Sequence, residues 1–198
     1  MNAVDAYVAR VMDAVPPPLR ARLPIADDVR AHLAERIAHG ASEVEAARAF
    51  GDPAALAASY LQAEPMRPAA HGRRLLAKLI DVGGVVLAVL LIALLATLIT
   101  PERYVELVLI AAGLAVGVAY PVYTVIAELL SAQTLGKRWM KLAVVQENGA
   151  RISAWQSCVR QLPFLAQLVF IDAAFALFNS HRQRAVELLS HTRVITLD

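Results

Sequence analysis

Cysteine is almost absent from this chain. Cys158 stands alone among 198 residues, which excludes an internal disulfide and a zinc site made of cysteines. Charge of one sign is equally scarce, since 19 basic and 17 acidic side chains leave a net +2. So small an excess argues against a nucleic-acid surface. The opening residues, Met-Asn-Ala-Val-Asp-Ala-Tyr, lack the basic start and apolar core of a signal peptide. No Ser/His/Asp or Cys/His arrangement and no glycine-rich phosphate loop is visible, so neither enzymatic activity nor a cofactor is expected. His32 and His39 sit seven apart without further ligands and read as surface residues, so no metal site is expected.

The most telling absence is local. Half of all charged residues fall within residues 1–74, whereas residues 82–101 and 107–127 contain none. Each uncharged run matches the roughly 20 residues that a helix needs to cross a bilayer core of about 30 Å. With 58% hydrophobic residues and a mean hydropathy of +0.53, the chain is too apolar for an ordinary soluble domain. Two such helices buried in a soluble core would need more amphipathic helices around them than this length supplies. The lipid bilayer is therefore the expected surrounding of residues 73–198.

Residues 1–64 read differently. Val4, Tyr7, Val8, Val11 and Val15 recur at helical spacing and end at Pro16-Pro17-Pro18. Ile25, Val29, Leu33 and Ile37 form a second stripe, with Gly40 placed as a C-cap. Ser42 with Glu45 makes a capping box for a third helix, and Asp52-Pro53 opens a fourth that turns Leu56, Tyr60 and Leu61 inward. Gly40-Ala41-Ser42 with Ala46, then Gly51-Asp52-Pro53, resembles the HAAS family over about residues 1–62. The resemblance implies a regulatory or interaction module with a cytoplasmic protein partner.

Pro65 and Pro68 mark residues 65–72 as a linker. Membrane helices are expected over about 73–99 and 104–130, with Pro121 kinking the second. Arg67, Arg73, Arg74 and Lys78 precede the first helix, and Lys137, Arg138 and Lys141 follow the second. The loop between them carries only Arg103, beside Glu102 and Glu106. The positive-inside rule then places the N-terminal domain in the cytoplasm. Leu142 to Val145, an Asn148-Gly149 turn and Arg151-Ile152 read as a short cytoplasmic β-hairpin, with Val194-Ile195-Thr196-Leu197 as a third strand. A third apolar segment, about 156–178, contains Pro163 and Asp172 and ends before His181, Arg182 and Arg184. A plain crossing would strand that basic cluster outside, so a segment that dips in and returns is favoured over a third crossing. The expected fold is mainly α: a small soluble helical bundle, then a polytopic α-helical membrane domain with a short β-hairpin.

Arg74, Ala77 and Asp81 share one stripe of the first membrane helix. An aspartate there needs a partner, either Arg74 or Lys78 as a tether, or water and ions along a pathway. Arg74-Leu-Leu-Ala77-Lys-Leu-Ile80-Asp81, then Glu128 six residues before Thr134-Leu135-Gly136-Lys137, then Gly149, Ser153, Arg160, Arg184-Ala-Val-Glu187 and Thr192-Arg-Val194, resemble the RDD family of membrane domains over about 71–196. The family is named for one arginine and two aspartates, and Glu187 takes the second aspartate's place here, with Asp172 as a rival. The resemblance implies the bacterial cytoplasmic (inner) membrane and a transport role, with cation/proton exchange assigned to some members. It also implies a polar cluster of Arg74, Asp81, Glu128 and Glu187, with Lys78, Lys137, Arg160 and Asp172 secondary. Two long helices are few for alternating access, and Gly113 with Gly117 could let copies pack as a homo-oligomer. The other reading is a membrane-anchored regulatory or scaffold protein whose polar cluster ties the helices to a cytoplasmic cap.

Overall fold

The computed structural model describes residues 2–166 and 185–197. The chain begins with α1 (Ala3–Ala14), α2 (Pro17–Arg20), α3 (Ile25–Ala38), α4 (Glu43–Ala49) and α5 (Pro53–Ala63). The triple proline stops α1 as expected, but Pro17 and Pro18 then occupy the first turn of α2, where a missing N–H costs nothing. Ser42 and Glu45 form the reciprocal capping box, and Asp52 caps α5 through Ala55 N–H at 3.0 Å. Each such cap stabilises its helix by about 1 kcal/mol. Tyr7, Val8, Val11, Val15, Ile25, Val29, Leu33 and Leu61 are buried together, while Ile37, Leu56 and Tyr60 pack at the edge of that core.

α6 (His71–Ile99) and α7 (Val105–Ser131) are joined through a single 3-10 turn (Glu102–Tyr104) and pack side by side. Their bounds lie within two residues of those read from the charge-free runs. Pro121 sits inside α7 without ending it. Both helices are long and apolar enough to cross a membrane, and only 6% and 11% of their apolar windows are buried within the protein. Helices this exposed are not the core of a soluble domain.

Beyond α7 come α8 (Leu135–Trp139), β1 (Leu142–Gln146), α9 (Ala154–Val159), α10 (Leu162–Leu165), α11 (Ala185–Leu189) and β2 (Thr192–Thr196). The sheet departs from the expected hairpin. Residues 147–149 do turn, with Gly149 at φ +83°, but Arg151 and Ile152 form no strand. Instead β1 pairs antiparallel with β2, Val144 opposite Val194. Arg151 is drawn elsewhere, donating its backbone N–H to Ala14 O at 3.2 Å and its guanidinium to Leu129 O. The other edge of β2 is taken by the linker. Pro68 bridges Ile195, Ala69 N–H donates to Val194 O, and Thr196 N–H donates to Arg67 O. Residues 67–69 are thus a docked strand edge rather than a free spacer.

This small sheet is a partition. Because side chains alternate along a strand, Ala143, Val145, Ile195 and Leu197 face the core of α1, α3 and α5. Leu142, Val144 and Val194 face the other way, onto Ala69 of the linker, Ala77 of α6 and Ile152. Burial on both faces explains why Leu142-Ala143-Val144-Val145 carries no polar alternation. Burying each large aliphatic side chain stabilises the junction by roughly 1.5–3 kcal/mol.

The apolar segment expected over 156–178 starts as two short helices broken at Arg160-Gln161. The choice between re-entry and crossing concerns residues outside the described ones. Both described flanks, α9–α10 and α11–β2, lie at the same end of the helix pair, where β1 and the linker hold β2.

A candidate site at one end of the helix pair

Three carboxylates are buried where α6 begins and α7 ends: Asp81, Glu128 and Glu187. An unpaired charge in such a place would cost several kcal/mol, so the partners decide what each group can do.

Asp81 lies nearly three turns into α6, on the stripe that also buries Ala77. Its Oδ1 accepts from the Tyr123 hydroxyl at 3.0 Å and from Gly136 N–H at 2.8 Å, and its Oδ2 accepts from the Thr134 hydroxyl at 2.5 Å. Tyr123 Oη in turn accepts from Leu135 N–H at 2.8 Å. One aspartate therefore clamps α6, α7 and the first turn of α8. The approach is close because position 136 is glycine: a Cβ there would stand 2.1 Å from Ala77 O.

Of the two readings of Asp81, the tether to Arg74 or Lys78 is not formed among the described residues. Seven residues of helix separate Arg74 from Asp81 by about 10 Å along the axis, and Arg74 turns to Glu187 instead. Its Nη1 donates to Glu187 Oε2 at 3.0 Å and Oε1 at 3.3 Å, while Nη2 donates to Val194 O at 3.1 Å. Glu187 is fully buried on α11. Arg74 thus joins the first turn of α6 to both α11 and β2. Lys78 is half-buried on α6, and Asp172 lies outside the described residues.

Glu128 is the third node. Lys137 Nζ donates to Oε1, and Arg160 Nε and the Ser157 hydroxyl each donate to Oε2 at 3.3 Å. Arg160 continues to the Thr192 hydroxyl at 2.7 Å, which meets the Ser190 hydroxyl at 2.8 Å. The end of α7 is thereby bound to α8, α9 and β2.

Of the nominated residues, Arg74 and Glu187 meet, and Glu128 meets Lys137 and Arg160. Asp81 stands apart with neutral donors. Sequence reading missed Tyr123, Ser157 and Ser190, and gave Thr134, Gly136 and Thr192 no role beyond motif positions. Thr134 did carry a signal, since a threonine just before a short helix is a natural N-cap, here bonded to Lys137 N–H at 3.3 Å. Among the described residues no group of His, Cys, Asp and Glu could hold a metal ion.

Away from these nodes, a shallow groove of about 540 Å³ runs between α1 and α4, with Tyr7 in its wall and Arg10 and Arg48 at its rim.

A pair of exposed apolar helices closed at one end by a buried polar cap is consistent with a membrane domain. A family model described as the RDD family matches residues 68–190, more than half of the sequence, and the chain belongs to that family. A second model, described as HAAS, matches residues 6–59, from within α1 to within α5. No curated protein and no solved structure matches the chain. Family membership and the exposed apolar helices agree on a membrane protein.

Proposed function

We propose that this protein is a non-enzymatic, membrane-anchored regulatory scaffold of the cytoplasmic membrane, in which the HAAS domain engages a cytoplasmic partner. One observation carries the reading: a single apolar core runs from α1–α5 into the sheet, and the opposite face of that sheet packs onto α6. Such an arrangement couples the soluble domain mechanically to the helix pair. The buried carboxylates fit the same role, because their bonds run between elements. The positive-inside rule supports a cytoplasmic placement, since Arg67, Arg73, Arg138 and Lys141 cluster at the capped end. A partner segment with acidic side chains would complement Arg10 and Arg48 at the groove on α1 and α4.

Cation/proton exchange is the second reading, and Asp81 favours it. A carboxylate buried near an apolar helix core, held among the described residues by neutral donors, is a group that can trade a proton for a cation. Purified protein in liposomes separates the two. A scaffold is expected to show no cation-driven pH change above protein-free vesicles, and Asp81→Asn is expected to lower thermal stability. Exchange that is present in the wild type and lost in a stably folded Asp81→Asn protein would establish the transporter and remove the scaffold reading.

A further inference from the structure

The short helices of the cap are built inside out. In α8, Gly136 is buried against Ala77 and Asp81 and Lys137 reaches Glu128, while Leu135 and Trp139, one turn apart, point outward at 66% and 80% exposure. The same inversion runs through α9 and α10. Ser157, Arg160 and Gln161 are buried, whereas Trp155, Cys158, Leu162 and Leu165 are exposed at helical spacing. A helix packed on a protein in water turns its apolar stripe inward. Here two separate segments put polar groups in and large apolar groups out.

We infer that α8, α9 and α10 form a shelf lying in the lipid headgroup layer, with Trp139 and Trp155 as its anchors. Three features single out lipid as the occupant. The shelf is continuous with the exposed apolar surfaces of α6 and α7, to whose ends Asp81 and Glu128 bind it. Its exposed aromatic residues are tryptophans, whose rings favour the boundary between hydrocarbon and water. Arg138 and Lys141 stand exposed beside Trp139 and form no ion pair among the described residues, as suits anionic headgroups. The shelf would fix how deep the helix pair sits and hold the sheet and HAAS domain just above the membrane surface. It rests on the membrane reading of the helix pair.

Trp139 and Trp155 are the only tryptophans in the sequence, so each can be read alone. Full-length Trp139→Phe and Trp155→Phe proteins would be reconstituted in phosphatidylcholine vesicles containing phosphatidylglycerol. Emission would be measured with lipids brominated high or low on the acyl chain, and with iodide on both sides. Each remaining tryptophan is expected to emit to the blue of free indole. Shallow bromines should quench it about twofold more than deep ones, with little effect of iodide. Strong iodide quenching without bromolipid quenching would overturn the shelf, as would deep bromines quenching best. Quenching by neither would point to a second copy covering these faces and would equally overturn it. Flotation with vesicles after an alkaline wash is scored on the same samples. Protein that floats but shows water-exposed tryptophans loses the shelf and keeps its membrane anchor, whereas protein that does not float loses both.

Discussion

Gly136 and Ala77 approach so closely that a single methyl group on Gly136 would stand 2.1 Å from the Ala77 carbonyl oxygen. The contact is to backbone, which cannot swing aside as a side chain would. Gly136→Ala is therefore expected to separate α8 from α6, break the Gly136 N–H to Asp81 bond, and cost about 3 kcal/mol or more. Gly113→Ala and Gly117→Ala meet nothing within 4 Å and should leave the monomer's stability unchanged. Thermal unfolding of the three variants in detergent tests the contrast.

The Arg74–Glu187 pair should behave as a buried ion pair. Arg74→Met or Glu187→Met alone breaks this buried contact and is expected to cost about 3–5 kcal/mol. Combining Arg74→Met with Glu187→Met should cost clearly less than the two single changes together. Glu187→Asp shortens the side chain by one methylene and should lose at least one of the two contacts at 3.0 and 3.3 Å. Unfolding midpoints for the complete cycle measure the coupling.

Helix bounds, caps and the stripe on α6 were legible because each rests on neighbours in the chain. Ser42 with Glu45, Asp52 with Pro53, and the charge-free runs all announce themselves within a few residues. Pairings over long separations were not legible. Asn148-Gly149 is a strong turn signal and invited a hairpin onto Arg151 and Ile152, yet β1 gains more by pairing with β2, where both faces find apolar cover. Arg74 was nominated for the polar cluster from its place on the α6 stripe, but its contact with Glu187 spans 113 residues, a separation that no local pattern marks. Tyr123 and Ser157 carried no local mark, because a hydroxyl that closes a tertiary bond looks like any other in sequence.

The isolated HAAS domain should fold imperfectly. Ala143, Val145, Ile195 and Leu197 complete its core, so residues 1–64 alone would expose Leu61 and its neighbours to water. The fragment is expected to be helical by circular dichroism, to bind an apolar dye, and to unfold with less cooperativity than in the full chain. Val145→Ala in the full chain should destabilise the same helices by about 1 kcal/mol. Hydrogen exchange of α1 and α5 reads that effect directly.

Glu45 makes a pH-dependent contribution to the HAAS domain. The Ser42 hydroxyl and backbone N–H bond its carboxylate, and these hold its pKa below the usual glutamate value. A lowered folded-state pKa means stability that is present above the unfolded value, about 4.3, and lost as pH falls through the folded one. Glu45→Gln keeps the capping geometry without the charge. The variant should melt below wild type at neutral pH, with the gap closing as the solution is acidified.

The loop between α6 and α7 is the clearest test of orientation. With Cys158→Ala as background, Glu102→Cys is expected to react with an impermeant thiol reagent in intact cells. Reaction only after lysis would reverse the orientation proposed from the basic residues.

The docking of residues 67–69 onto β2 has a consequence for the order of assembly. The ribosome delivers the HAAS helices first and β2 only after α6 and α7. Until β2 arrives, the linker has no edge to pair with, Arg74 lacks both Glu187 and Val194, and the HAAS core lacks Ile195 and Leu197. The soluble domain thus cannot lock down before both long helices have been made. A chain arrested midway keeps an open apolar flank on its N-terminal helices, a visible mark of incompleteness for the cell's quality-control proteases.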